Sequence, residues 1–133
     1  QIPGQLDPKS GVKSINQLCV GASIANLLLL RRIKLWAEET GGMFMLRKGA
    51  SGSDKYCKWI DAKDNQELGE RIKWSSMKRH SRMIEKLLRS YHHQPDRLCD
   101  VARNCLVFDS VLDLVDCVGK IASDLNVRVE RLK

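Results

Sequence analysis

The sequence predicts a mixed α/β (α+β) protein, and three observations carry that expectation. Ile15 to Leu30 is an apolar run fit for a helix. Asn65 to Tyr91 repeats its apolar residues near the helical period beside a dense Lys/Arg face. The tail from Leu98 to Leu132 reads as strand, helix, strand. A chain of 133 residues is long enough for one core. Its 43% hydrophobic and 29% charged residues sit close to globular averages, which argues against a disordered chain.

Residues 1–13 contain Pro3, Gly4, Pro8 and Gly11, punctuation that predicts an extended arm rather than a regular element. The chain opens on Gln1 rather than Met and is read as a piece of a longer polypeptide. Ser14 stands where an N-cap would, and Gly41-Gly42 where a C-cap would, so a helix is expected over 14–41.

Leu18 to Leu30 is interrupted only by small or polar Ser23 and Asn26 and is followed by Arg31 and Arg32. A helix apolar all round is expected to be buried. Its 13 residues cover about 20 Å, short of a hydrocarbon core of about 30 Å, while counting from Ser14 reaches the lower limit for a span. Two readings stay open: a helix buried against its own domain or another subunit, or one in or on a membrane through 14–36. Leu18, Gly21, Ala25, Leu28, Leu30, Arg31 and Arg32 are the candidate residues for either. Gly21 and Ala25 are four apart and permit close helix approach.

Residues 42–133 are expected to form a small α/β domain. Met43 to Leu46 and Tyr56 to Ile60 suit a hairpin around the surface turn Gly49 to Asp54, which lacks the spacing of a phosphate-cradling loop. Asn65 to Tyr91 is expected as one long helix or two short ones, broken by His92, His93 and Pro95. Leu98 to Phe108 is expected as a strand. Asp109-Ser110 offers a helix cap, Val111 to Leu125 a helix buried along one face, and Val127 to Leu132 an alternating strand, together a β-α-β unit.

Lys and Arg number 23 against 16 Asp and Glu, giving a net charge of +7. Such a surface favours anionic partners, nucleic acid or anionic lipid. Five cysteines without a Cys-x-x-Cys pair do not form a disulfide framework or a zinc site, and Cys99, Cys105 and Cys117 are expected as small core residues. No Gly-x-Ser-x-Gly or Cys/His nucleophile pattern is present, so conventional hydrolase chemistry is not indicated.

Lys78 and Lys86 lie eight apart on the expected basic helix, Asp100 follows Lys86 by fourteen, and Arg103 comes soon after. Over roughly 70–133 this order resembles the N-terminal half of the RelA/SpoT-like nucleotidyltransferase family, whose basic helix carries two lysines at that spacing before a metal-binding Asp. The resemblance implies phosphate contacts for Lys78, Arg82, Lys86 and Arg103, and a metal role for Asp100 with Mg²⁺ and a nucleotide. The family's Ser between the lysines is Arg82 here, its Gly after the Asp is missing, and residues 70–133 hold no counterpart of its second acidic residue or Tyr/His segment.

The expectation is therefore a non-catalytic accessory or scaffold subunit without a cofactor, built on a degenerate nucleotidyltransferase-like fold. Its partners would be other protein subunits of a membrane-associated complex, photosynthetic or respiratory, in a plastid or mitochondrion. Alternatives are a RelA/SpoT-like pyrophosphotransferase or hydrolase fragment, which would need Mg²⁺ and a nucleotide, and an RNA-binding or ribosome-associated protein.

Overall fold

The structure, a computed structural model, describes residues 11–49 and 52–129. In chain order its elements are α1 (Ile15–Thr40), β1 (Met43–Met45), β2 (Tyr56–Lys58), α2 (Trp59–Ala62), α3 (Gln66–Glu70), α4 (His80–Ser90), a 3₁₀ turn at Pro95–Arg97 and α5 (Val111–Ser123). The architecture is mixed helix with a small antiparallel sheet. The chain divides into two compact units, one containing residues 11–29 and 76–103, the other 30–75 and 104–128.

The first unit is built on the N-terminal half of α1. Ser14 caps that helix, its Oγ accepting from the Gln17 N–H at 3.2 Å. Ala22 of α1 packs with Met83 and Leu87 of α4 and with Leu98 and Val101, while Leu18, Cys19, Met77 and Tyr91 close over them. Met83 and Leu87 are four apart and so share one face of α4. Burying each is worth about 1.5–3 kcal/mol, and together they fix which side of the helix turns inward. The chain leaves α4 through His92 and His93, both left-handed at φ 46° and 63°, and the His93 N–H returns to the Leu87 carbonyl at 3.3 Å.

The second unit begins where α1 ends. Gly41 takes φ 71°, and the Gly42 N–H reaches back to the Ala37 carbonyl at 2.9 Å, the longer bond of a Schellman ending. A Cβ on Gly42 would lie 2.9 Å from the Ala37 Cα, so the corner has no room for one. β1 then pairs antiparallel with β2, Phe44 opposite Cys57. Single bridges join Met43 to Val107 and Leu46 to Ile72, which is fully buried. Phe44, Trp59 and Trp74 stack at tilted or edge angles, with centroids 4.9–5.9 Å apart. The Lys34 ammonium lies 5.0 Å from the Trp59 centroid and 4.7 Å from that of Trp74. Ser110 caps α5 by accepting from the Leu112 N–H at 3.2 Å.

The hairpin and the ends of α1 agree with the sequence expectation. Among the described residues the β-α-β unit does not form. Between Leu98 and Phe108 only Val107 enters a sheet, by one antiparallel bridge, and other bonds engage Leu98, Val101 and Cys105. The Leu98 N–H closes the 3₁₀ turn onto Pro95, the Val101 carbonyl accepts from the Lys78 N–H, and the Asn104 side chain takes the Cys105 N–H. Residues 127–129 are not a strand, and 130–133 lie outside the described residues. So do 1–10 of the expected arm and 50–51 of the expected turn.

Burial within the chain differs from expectation at α5, and for α1 it is partial. The chain itself does not cover the apolar run of α1 all round, since Val20, Ile24, Leu27 and Leu28 are more than half exposed. In α5 only Cys117 is buried, and most of its aliphatic residues face outward. Cys99 and Cys105 are exposed rather than core, because the strand expected to bury them is a loop.

Candidate functional site

The first unit gathers three residues that the sequence had singled out. Lys78 lies two residues before α4 rather than on it, held extended by its backbone bond to Val101. Lys86 sits two turns into α4, and Asp100 follows the 3₁₀ turn. The Lys78 Nζ donates to Asp100 Oδ2 at 2.7 Å and the Lys86 Nζ to the same oxygen at 3.0 Å. The other carboxylate oxygen, Oδ1, is buried and has no hydrogen-bond partner among the described residues.

The electrostatics follow from this geometry. Burial pushes the Asp100 carboxyl up, but hydrogen bonds from Lys78 and Lys86 and the two positive charges outweigh it and hold the group below the usual carboxylate range. The hydrogen bond to Asp100 raises Lys86, against a smaller opposing effect of burial. The Lys86 ammonium also lies 5.5 Å from the centre of the Tyr91 ring. One carboxylate shared by two ammonium groups leaves a cluster with one net positive charge.

Arg82 and Arg103 do not join this cluster. Arg82 pairs with Glu85 at 2.8 Å, and Arg89 reaches the same carboxylate at 3.5 Å. Arg103 is exposed and forms no salt bridge among the described residues. A divalent cation on Asp100 Oδ2 would have to displace two ammonium groups. No group of three His, Cys, Asp or Glu able to hold a metal occurs among the described residues.

The candidate residues of α1 divide between faces. Leu18 turns toward the core of the first unit, whereas Leu28 is exposed. Gly21 and Ala25 line an open apolar groove of about 510 Å³ with Leu98, Val101 and Ala102. In the second unit Leu30 is half-buried and Arg31 exposed, and Arg32 pairs with Asp124 at 3.2 Å. No helix among the described residues is long and apolar enough to cross a membrane. Extending the apolar run takes in Asn16 and Gln17 on one side and Arg31 and Arg32 on the other.

The Phe44, Trp59 and Trp74 cluster with Lys34 was missed from sequence. The three rings and the lysine lie far apart in the chain and follow no motif, so only tertiary packing brings them together. A comparison of the chain with protein-family models, curated proteins and solved structures finds no match.

Proposed function

We propose that the chain is a non-catalytic accessory or scaffold subunit of a larger assembly, docking through α1. The observation that carries this reading is the row Val20, Ile24, Leu27 and Leu28, all 58–66% exposed on one side of the helix. Exposed aliphatic side chains in such a row gain free energy when a partner covers them. Within the same helix Arg31 and Arg32 come just after this row, which suits a place near an anionic surface, and we take the assembly to be organellar and membrane-associated, photosynthetic or respiratory.

The test is detergent fractionation of the native protein followed by sizing. Co-migration with a large membrane complex, lost on Ile24→Asp, is the expected result. Ile24 is exposed, so the substitution leaves the fold in place. A free monomer in native extracts ends the proposal.

A second reading rests on the convergence of Lys78, Lys86 and Asp100. Paired ammonium groups beside the cationic side of α4 suit a polyphosphate, in keeping with the resemblance to the RelA/SpoT-like family and its Mg²⁺-nucleotide substrates. Titration calorimetry with ATP and GTP, with and without Mg²⁺, decides it. Binding that needs Mg²⁺ and disappears in Asp100→Ala supports a retained nucleotide site, and absence of binding by the folded wild-type chain removes it.

A further inference from the structure

We infer that the outward face of the sheet in the second unit binds single-stranded nucleic acid, with Tyr56 as the base-stacking ring and Arg47, Arg71 and Lys73 as the phosphate contacts. Backbone pairing brings these residues together. Met45 stands opposite Tyr56 in the β1–β2 ladder. On the other edge of β1, the Arg47 N–H donates to the Arg71 carbonyl and the Lys73 N–H to the Met45 carbonyl, both at 2.8 Å. These bonds flank the Leu46–Ile72 bridge, so Lys73 stands opposite Met45 and Arg71 opposite Arg47. Residues opposite one another in a sheet share a side, and neighbours along a strand alternate. Phe44, Leu46, Cys57 and Ile72 turn inward and are buried, which leaves Arg47, Arg71, Lys73 and Tyr56 on the solvent side, all four exposed.

The cations of this face are not neutralised by the chain. Arg47, Arg71 and Lys73 form no salt bridge among the described residues. Glu70, next to Arg71, instead accepts from the Gln66 side chain at 2.9 Å, and Asp54, near Tyr56, pairs with Lys48 at 3.4 Å. Like charges directly opposite each other weaken a sheet, so Arg47 across from Arg71, with Lys73 on the same side, works against the fold of the chain alone. An anion laid over the three relieves that repulsion, and guanidinium groups fit phosphate oxygens in pairs.

Tyr56 selects the kind of anion. Its ring is 40% exposed in the same cross-strand row as Lys73. An exposed ring among cations holds single strands of any sequence, because every base has a face to stack. A duplex keeps those faces covered, and unstacked bases belong to single strands. The face has no exposed aliphatic side chain to sink beneath lipid headgroups, which argues against an anionic membrane. The inference stands apart from both functions proposed above, because the Val20 to Leu28 row and the Lys78, Lys86 and Asp100 cluster belong to the first unit.

Fluorescence anisotropy of the full chain with a labelled oligouridylate of about 16 nucleotides tests the surface. The expected result is binding that weakens about tenfold in Tyr56→Ala, is retained in Tyr56→Phe, and loses about 0.7 of its logarithmic salt slope in Arg71→Ala. Arg97→Ala, an equal change of net charge on an exposed residue of the first unit, leaves affinity and slope in place. Circular dichroism checks that each variant is folded. Absence of binding overturns the inference, and so does binding indifferent to Tyr56→Ala or weakened as much by Arg97→Ala as by Arg71→Ala. Equal affinity for a duplex or for poly-glutamate overturns it too, as does a preference for phosphatidylserine vesicles. Any of these failures leaves docking through α1 standing, because that reading is decided by Ile24→Asp in the native complex.

Discussion

Helices α4 and α5 are both amphipathic and similar in length, yet they use their two sides in opposite ways. α4 buries Met83 and Leu87 and turns Arg82, Glu85 and Arg89 to solvent. α5 anchors itself through Cys117, Lys120 and Asp124 and leaves its valines and leucines outside. Hydrophobic periodicity thus establishes that a helix has an apolar side. It does not say whether the same chain supplies the cover.

The largest test of this contrast compares one aliphatic residue from each helix. Leu87→Ala should cost about 2–5 kcal/mol in urea unfolding, since it empties a buried site. Val115→Ser should shift stability by about 0.5 kcal/mol or less, as expected of an exposed position. Equal losses would mean that α5 is covered within the chain after all.

Next in size is the ion cluster of the first unit. Asp100→Asn should cost about 1 kcal/mol near neutral pH, discounted for partial exposure of the carboxylate. The pH dependence has a definite sign. Asp100 is held low when folded, so its contribution is present above the ordinary carboxylate range and is lost as pH falls through its folded pKa. Lys86 is raised, so its contribution is present below the ordinary lysine range and is lost as pH rises through its folded pKa. Thermal melts across pH should show the wild-type advantage over Asp100→Asn fading below about pH 4. A constant difference down to pH 2 would remove the cluster as its source.

The smallest expected effect is at the end of α4. The left-handed conformation of His92 suits glycine, and His92→Gly should stabilise the chain by about 0.5 kcal/mol, the relief of Cβ strain less the added freedom of the unfolded chain. A lowered melting temperature would show that the imidazole makes a compensating contact. α5, which ends at Ser123 with a non-glycine cap, offers no comparable gain.

What could be read from sequence was local. Ser14, the Gly41-Gly42 pair and Ser110 mark helix ends because each satisfies backbone groups within a few residues, and the hairpin follows from two short apolar runs. The stretch after Pro95 misled because apolar residues there resemble a strand, whereas the hydrogen bonds of Val101 and Asn104 turn it into a loop. Asp100 and the two lysines stood out by type and spacing, but the shared Oδ2 depends on Lys78 lying before α4 rather than on it. The outward turn of α5 could not be read at all, since burial depends on neighbours distant in the chain.

The placement of the indoles makes the chain its own two-channel reporter. Trp36, Trp59 and Trp74 all belong to the second unit, and the first unit holds Tyr91 but no tryptophan. Indole emission therefore follows the melting of one unit, whereas helical dichroism, to which α4 and both halves of α1 contribute, follows both. Coincident transitions would make the two units a single cooperative block, and an earlier loss of dichroism would time the opening of the lysine-bearing unit separately.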